Sequence, residues 1–426
     1  MDGVNNIRLE KFRQIKQEIR GSKEYLIVGI DVAKENHHAF FGTATGKTLL
    51  RRLVFENNRE GFERLFFQAE AVKAQHCLKT VVFGLEPTAN YHKPLGEHLI
   101  KNKHQVVLVS GNAVKNNREL LDGRWDKHDV KDSANVADLI SQGKCLFYDY
   151  PEEGLRELRS LISLKRRLKK YEHGCKARIR NHLIAQYFPE LDRFAGYGEG
   201  LAIVRWCLSP QAIRQLGCGE FMRMVGSRNG GCKQRRRLQV IWDKAGESIG
   251  CTGTEALAFE AQVMAEQLKQ TQEAIRATDE KIKQRCIKFS EYTHLLSIPG
   301  FGPDVSAKVL AAIGNPFRFE SATQVLKLAG LDLSAQRSGK GSGRAIPVLS
   351  KKGKADLRYA LYQAALIASN RNRTFITYFT NKLRGRAREK GIKTKMRVKL
   401  SAKLLIIAWT IMKKKEQFNP EYLNLN

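Results

Sequence analysis

The stretch Tyr25-Leu-Ile-Val-Gly-Ile-Asp31 determines the fold of the N-terminal part of the chain. An apolar run of this length that ends in an acid predicts a buried β-strand with its carboxylate at a sheet edge. The stretch Thr80-Val-Val-Phe-Gly-Leu-Glu86 has the same pattern. If the two strands are paired neighbours, Asp31 and Glu86 lie at the same edge of one sheet.

The segments around these two strands alternate between strand-like and helix-like patterns. Further strands are expected at 38–43, 48–55 and 105–110, and helices at 60–73, 91–101 and 129–141. This order suits a mixed sheet with helices on its faces. We therefore predict an α/β N-terminal domain over residues 1–150, followed by a mostly helical remainder.

The remainder divides by composition into three parts. Residues 151–253 form a basic helical region, in which a Lys/Arg-rich helix runs from 164 toward 183. Residues 254–290 have apolar positions at alternating steps of four and three, and residues 291–426 form a mostly α C-terminal domain. The repeat predicts either an intramolecular helical hairpin or a coiled-coil dimer contact, which we prefer. Its positions are Leu257, Ala261, Met264, Leu268, Thr271, Ile275, Thr278 and Ile282.

The charge of the chain indicates its class of partner. Against 43 acidic residues stand 74 Lys and Arg, which gives a net charge of +31. Such an excess is usually matched by a polyanion, most often nucleic acid. The eight cysteines include no CxxC and no zinc-like spacing. Residues 1–20 do not resemble a signal peptide and no apolar run is long enough for a membrane, so a cytoplasmic protein is expected.

Four carboxylates have a shared chemical use. Asp129 and Asp132 are three residues apart in a predicted helix and so lie on one face. With Asp31 and Glu86 they supply the hard oxygen ligands that Mg²⁺ prefers, and two such ions can clamp the attacking and leaving oxygens of a phosphoryl transfer. Each acid alone is more simply a strand end or a helix cap, but together in a basic chain they favour a metal site.

A family resemblance rests on these same segments. Val28-Gly-Ile-Asp31-Val-Ala-Lys34, Glu86-Pro-Thr-Ala-Asn-Tyr91 and Lys127-His-Asp129-Val-Lys-Asp132-Ser-Ala134 resemble the DEDD transposases of the IS110/IS1111-like insertion sequences. The resemblance implies a RuvC-like domain with an RNase H-like fold. It also implies that Asp31, Glu86, Asp129 and Asp132 are catalytic and bind Mg²⁺, as two ions. His128 and Ser133 stand where Thr and Ala are more usual.

The C-terminal domain carries two further motifs. Ile298-Pro-Gly-Phe-Gly-Pro303 looks like a helix-hairpin-helix turn, in which Gly300 and Gly302 would let backbone N–H groups approach a DNA phosphate; an ordinary helix connection is equally compatible. A Gly/Ser-rich loop at 338–344 follows Leu328-Ala-Gly-Leu331. By the same resemblance, Ser338 in this loop is the catalytic serine that attacks DNA, with Ser342 as a competitor.

The resemblance also implies partners. Members of the family act on donor and target DNA with a structured non-coding bridge RNA, and as homo-oligomers, dimers or tetramers, in which the acids of one protomer meet the serine of another. The expected location is the prokaryotic cytoplasm, on the nucleoid when bound to DNA. Candidate nucleic-acid-binding residues are the two glycines and the cations Lys165, Arg166, Arg167, Arg178, Arg180, Arg235, Arg236, Arg237, Lys351, Lys354 and Arg358.

Three functions are compatible with these features. The preferred one is a DNA transposase or site-specific recombinase that forms a phosphoserine intermediate with the help of Mg²⁺. A RuvC-like nuclease that hydrolyses DNA with a metal-activated water would need the four acids but no serine. A non-catalytic nucleic-acid-binding protein would need only the basic residues, and the presence of all four acids argues against it.

Overall fold

A computed structural model describes residues 3–122, 129–194, 198–206, 208–227, 230–334 and 347–424. The chain forms two compact units, Met1–Glu153 and Gly154–Asn426. None of the helices in these described ranges has the length and hydropathy needed to cross a membrane.

The first unit is built on a six-stranded mixed sheet with the strand order β3-β2-β1-β4-β5-β6. Strands β1, β4 and β5 are parallel, whereas β2, β3 and β6 are added antiparallel. The α/β fold predicted for this part of the chain is therefore confirmed. The strands are β1 Tyr25–Asp31, β2 Asn36–Thr43, β3 Thr48–Glu56, β4 Thr80–Leu85, β5 Gln105–Leu108 and β6 Leu146–Phe147.

Five helices accompany this sheet. Three of them were predicted from the sequence, whereas the first and fourth were not. The helices are α1 Gly3–Glu18, α2 Arg59–Gln75, α3 His92–Lys101, α4 Gly111–Asp122 and α5 Asp129–Ser141.

Alternation along β1 divides the side chains between two cores. Leu26, Val28 and Ile30 pack with residues of α2 and α3 on one face. Ile27 packs on the other face with residues of α1, α4 and α5. Because successive side chains of a strand point to opposite faces, a parallel strand buried on both faces is apolar throughout. This explains the unbroken apolar run that begins at Tyr25.

The second unit is almost entirely helical, as the sequence predicted. Its long first helix passes into a π-helical stretch, Ile179–Ile184, and a two-stranded ribbon interrupts its C-terminal part. The elements are α6 Glu153–Arg178, α7 Ala185–Tyr187, α8 Gly198–Trp206, α9 Pro210–Gln215, α10 Cys218–Val225, α11 Cys232–Ala245, α12 Glu255–Cys286, α13 Ser290–Leu296, α14 Pro303–Ile313, α15 Ala322–Ala329, β7 Leu333–Ser334, β8 Val348–Leu349, α16 Ala355–Arg371, α17 Arg373–Leu383 and α18 Ile392–Lys414, with 3₁₀ turns at Pro189–Phe194, Pro316–Arg318 and Pro420–Asn424.

Helix α12 carries the heptad-like repeat, and its apolar seam is buried within the chain. Leu257 and Leu268 pack in a core with α8, α10 and α11, and Ile282 packs in the C-terminal core with α14 and α16. Thr254 begins the helix by accepting a hydrogen bond from the Leu257 N–H. The structure therefore shows the intramolecular alternative, and the dimer contact that we preferred for this seam is wrong. Oligomerisation itself stays a prediction.

Candidate active site

Asp31 and Glu86 lie at the same edge of the sheet. Strands β1 and β4 are parallel, with Ile30 opposite Leu85, so the next residue of each strand is one of the two acids. The Glu86 N–H continues the ladder by donating to the carbonyl of Ile30 at 3.4 Å. Both acids are half-buried. The predicted juxtaposition of the two carboxyl-bearing residues is confirmed.

Both acids belong to the face of the sheet that α5 covers. Gly29 and Gly84 stand opposite each other on β1 and β4, two residues before Asp31 and Glu86. A Cβ atom on Gly29 would lie 2.2 Å from the carbonyl oxygen of Ser133, and one on Gly84 would lie 1.9 Å from Ile140. Since residues two apart share a face of a strand, the acids point to the α5 side.

The glycine pair explains how α5 comes so close to the sheet. Any side chain at Gly29 would collide with the backbone of α5, because its Cβ atom would also lie 2.6 Å from the Ala137 nitrogen. The helix begins at Asp129 and ends at Ser141 as predicted, and it carries both of the remaining acids toward the strand ends. Of Asp129 the structure describes the backbone alone.

Asp132 is the most deeply buried of the candidate acids whose side chains are described, at 2% exposure. Arg118 of α4 binds it in a bidentate manner: Nε donates to Oδ1 at 2.8 Å and Nη2 to Oδ2 at 3.0 Å. Charge-assisted pairs of this geometry fix the orientation of the carboxylate. Arg118 was not among the residues that the sequence pointed to.

A buried amide network holds α4 against α5. Asn117 donates to Oδ1 of Asn135 and to Oδ2 of Asp138, each at 2.8 Å, and Asn135 donates to the carbonyl of Val114 at 2.7 Å. Asn117 and Asn135 are both buried, so their hydrogen bonds are needed to offset the loss of water. The network positions Arg118, and through it Asp132.

The described acids fit a magnesium site in part. Carboxylates are suitable donors, and the register of β1 and β4 joins Asp31 to Glu86. The bidentate Arg118 occupies two of the roughly four acceptor positions of the Asp132 carboxylate, which leaves both oxygens able to accept a further partner. Among the residues whose side chains are described, no three His, Cys, Asp or Glu form a metal-binding group, and Asp129 is outside that set.

The predicted serine segment is bracketed by the ribbon of the second unit. Strand β7 pairs antiparallel with β8, with Leu333 opposite Leu349. Ser338 and Ser342 lie outside the described residues. Below the ribbon, the Ser350 hydroxyl donates to Asp332 Oδ1 at 2.5 Å, and the Ser350 N–H donates to the Asp332 carbonyl at 2.9 Å.

Two glycines anchor this ribbon to the helices. Gly330 ends α15 with a φ of 64°, and a Cβ atom on Gly353 would lie 2.3 Å from the nitrogen of Gly330. Arg358 donates from Nη1 to the carbonyl of Ala329 at 2.8 Å, which caps the C-terminus of α15. Arg358, a candidate phosphate ligand, therefore has a structural role here, and the exposed Lys351 lies beside it in the loop.

Several candidate cations of α6 and its π-helical continuation form ion pairs within the second unit. Lys165 contacts Asp279 and Asp304 at 2.6 Å each, and although burial lowers its pKa, the hydrogen bonds to these acids raise it. The others pair as Arg166 with Asp356, Arg178 with Glu260 and Arg180 with Asp192. Arg167 of α6, Arg235 and Arg236 of α11, and Lys354 at the start of α16 are exposed, and Arg237 is half-buried.

The glycines of the turn between α13 and α14 differ in role. Gly300 has a φ of 90°, and a Cβ atom there would lie 2.4 Å from the carbonyl of Ala364, so it allows close packing on α16. Gly302 caps α14 and faces open space. Asp304 in the first turn of α14 accepts hydrogen bonds from Lys165 and Lys308, which lower its pKa against the effect of burial. An incoming phosphate would meet this carboxylate.

Comparison with known proteins identifies the class of this molecule. Residues 28–189, which include the acid-bearing sheet and α5, match the model of the IS110 transposase domain with the DEDD acids. The sheet edge therefore belongs to a DNA transposase. Residues 292–380 match the transposase model of the IS116/IS110/IS902 family, and the two matches together cover more than half of the chain. The chain belongs to this family of insertion-sequence transposases.

Whole-chain relatives agree with the domain matches. The chain is 26% identical over 373 residues to the insertion element IS110 uncharacterized 43.6 kDa protein of Streptomyces coelicolor, covering 86% of this chain and 88% of that protein. It is 22% identical over 405 residues to the IS116 44.8 kDa protein of Streptomyces clavuligerus, with 92% and 96% covered. It is 27% identical over 219 residues to the IS900 42 kDa protein of Mycobacterium paratuberculosis, with 50% and 52% covered.

Proposed function

We propose that this transposase exchanges DNA strands through a covalent serine–DNA intermediate on Ser338, assisted by Mg²⁺ at Asp31, Glu86, Asp129 and Asp132. The observation that carries the metal part is the β1–β4 register, which brings Asp31 and Glu86 to one edge on the face that α5 covers. The pairing of β7 with β8, the strands on either side of the segment that holds Ser338, supports the serine part.

The serine step replaces one phosphate ester bond of the DNA with a phosphate ester bond to serine. The Ser338 oxygen forms a bond to phosphorus while the bond from phosphorus to one DNA oxygen breaks, and that oxygen leaves as a hydroxyl with the proton that serine loses. A hydroxyl of a second DNA end then attacks the phosphoserine, and the serine recovers a proton. Because each step exchanges one phosphate ester for another, rejoining needs no external energy source.

In this step the four acids would hold Mg²⁺, and so positive charge, near the reacting phosphate. Mg²⁺ bound there would polarise the phosphate oxygens and stabilise the developing charge. In this proposal Asp31 and Glu86 provide ligands from the sheet, and Asp129 and Asp132 from α5. Arg118 keeps Asp132 in one rotamer through its two hydrogen bonds, so the geometry of the carboxylate is set before DNA arrives.

The proposed partners are donor DNA, target DNA, a structured guide RNA and further copies of the chain. The net charge of +31 supports binding of several polyanions. Exposed Arg167, Arg235 and Arg236 are available for phosphate contacts, since they are on helical surfaces. In an oligomer, the acids of one protomer would meet Ser338 of another.

A covalent-trap assay tests the proposal. Purified protein, Mg²⁺, the non-coding RNA that flanks its gene and end-labelled DNA are mixed, denatured and separated on a gel. We expect a labelled protein–DNA adduct that disappears in Ser338→Ala and persists in Ser342→Ala. Loss in Ser342→Ala alone would move the nucleophile to that residue.

The same gel distinguishes the second candidate function. Cut DNA without an adduct would show hydrolysis by a metal-activated water, which is the RuvC-like nuclease. Asp31→Asn should remove both cutting and adduct formation because it removes a metal ligand. Full activity of Asp31→Asn in Mg²⁺ would overturn the metal assignment.

A further inference from the structure

A dense basic surface lies where α17 meets α18. Between residues 382 and 403 the chain carries ten cations and one acid, Glu389. This segment begins after residue 380, where the second family match ends. We call it the basic surface, and it consists of Lys382, Arg384, Arg386, Arg388, Lys390, Lys393, Lys395, Arg397, Lys399 and Lys403.

The charge of this surface is mostly uncompensated. Arg386 pairs with Glu389, with both hydrogen bonds at 2.7 Å. No other ion pair joins these cations to an acid in the part of the chain that the structure describes. Burial and the neighbouring Lys382 together lower the pKa of Lys403, so like charges of the two helices approach each other. A bound polyanion would relieve this repulsion.

The surface is held in place by its own small core. Phe379, Ile392 and Met396 are buried together, with Leu383 packed against them. Arg397 lies over the Phe379 ring at 5.5 Å. Because this cluster ties the start of α18 to α17, the exposed cations project from a fixed scaffold.

The arrangement of charge along α18 fits an anionic backbone. Lys395, Lys399 and Lys403 follow one another at steps of four, which places them on one helical face at intervals of about 6 Å. The helix begins at Gly391 without a side-chain cap, and its first turn has Lys393 and no acid. Cations at a helix N-terminus interact unfavourably with the helix dipole. A bound anion at this end would therefore stabilise the helix.

The side chains around the basic surface favour duplex DNA over a membrane, a protein or a single strand. Within the described residues 373–403 the one large apolar side chain that is exposed is Ile376, at 38%, whereas membrane and protein interfaces rely on several such side chains. The aromatic rings Tyr378 and Phe379 are directed inward and carry Lys382 and Arg397 over their faces. They are not available as stacking platforms for single-stranded bases.

We propose that the basic surface binds the phosphate backbone of duplex DNA without regard to sequence, as a docking surface additional to the residues that act on the strands. The inference rests on the DNA transposase class of the chain and is independent of the serine and metal chemistry proposed above. Backbone contacts of this kind fix the register of a protein on DNA and speed its search for a site.

Salt-dependent binding of the full chain tests this inference. The probe is a short labelled DNA duplex of unrelated sequence, and the variant is Lys393→Gln, Lys395→Gln and Lys399→Gln together. All three side chains are exposed, so the fold is expected to persist. Each lost phosphate contact lowers the slope of log affinity against log salt by about 0.9, so we expect a slope reduced by about 2 to 3 and affinity at low salt reduced at least about tenfold.

A second triple variant provides the matched control. Lys269, Lys281 and Lys283 are exposed on α12 among acidic residues, and their replacement by Gln removes the same net charge. We expect the control to bind as the unmodified chain does. An equal loss of affinity in both triple variants would show that only net charge matters. Unchanged binding by the α18 variant would contradict the proposed site. A loss confined to structured RNA, or to anionic vesicles, would overturn the assignment to duplex DNA.

Discussion

Arg118 and Asp132 form a two-pronged ion pair between α4 and α5, with Nε–Oδ1 and Nη2–Oδ2 distances of 2.8 and 3.0 Å. Asp132 is 2% exposed, so its carboxylate has exchanged water for this guanidinium. An acid that the family resemblance assigns to the metal site is therefore also hydrogen-bonded to a cation. Arg118 is a positioning residue, since it acts on the reaction through Asp132.

Arg118→Gln should destabilise the first unit and impair DNA cleavage. Removing one partner of a buried pair leaves an uncompensated charge, which costs about 3 kcal/mol. Hydrogen–deuterium exchange should show faster opening of α4 and α5. The cleavage defect should be partly relieved by Arg118→Lys, which restores a charge but not the fork.

Arg64→Gln is the matched control, because Arg64 is exposed on α2 of the same unit. It should change neither exchange nor cleavage. A stable Arg118→Gln variant with full cleavage would show that Asp132 needs no orienting partner.

Gly29→Ala should disturb the candidate site by pushing α5 away from the sheet. The new methyl group would meet backbone atoms of α5 at 2.2 and 2.6 Å, and backbone cannot move aside as a side-chain end can. We expect a loss of about 2–3 kcal/mol in the free energy of opening of β1 and α5, measured by hydrogen exchange. Displacement of α5 should also weaken cleavage.

Gly174→Ala tests the same substitution where there is room. Gly174 lies inside α6 with no heavy atom within 4 Å of the added Cβ atom. Alanine should stabilise this helix by about 0.5–1 kcal/mol. If both alanine variants behaved alike, the close approach of α5 to Gly29 would not be a constraint.

The sequence predicted the acid-bearing strands well because their pattern is local. An apolar run followed by an acid occurs at both Asp31 and Glu86, and the pairing of parallel strands then places the acids together. Helix α5 was also predicted with its observed ends, since the apolar positions Val136 and Ile140 recur at helical spacing.

Contacts that depend on tertiary packing were not predictable. Helix α4 has apolar residues only near its two ends, Ala113 and Val114 at one and Leu120 and Leu121 at the other, so the sequence analysis did not predict it and overlooked Arg118. A run of cations in the sequence does not indicate which of them form ion pairs with acids. Lys165 forms ion pairs with Asp279 and Asp304, whereas the nearby Arg167 is exposed. A heptad repeat likewise does not distinguish a helix of the same chain from one of a second copy, and α12 uses the former.

Asn135→Leu should separate the roles of packing and polarity between α4 and α5. Asn135 is fully buried, donates to the Val114 carbonyl and accepts from Asn117. Leucine would remove both of these hydrogen bonds and leave Asn117 with its bond to Asp138, at a cost of about 1–3 kcal/mol. Asn116→Leu, at an exposed position of α4, should be nearly neutral in thermal unfolding. Equal melting temperatures of the two variants would contradict the network.

Glu172→Gln should remove an acid-sensitive part of the stability of the second unit. Burial opposes ionisation, but hydrogen bonds from Lys176 and Lys169 lower the pKa of Glu172 to about 2. A depressed folded-state pKa stabilises the protein above the unfolded value near 4.5, and this contribution is lost as the pH falls toward 2. Both lysines are more than half exposed, so we expect about 1–2 kcal/mol and not the full value of the shift.

The measurement is the difference between Glu172→Gln and the unmodified chain in urea unfolding, followed from pH 7 down to pH 3. The two should differ at pH 7 and converge as the pH falls through the range between 4.5 and 2. Glu273→Gln, at an exposed position of α12, should not change the pH dependence. A constant difference at all pH values would mean that Glu172 stabilises the chain by packing and not by its charge.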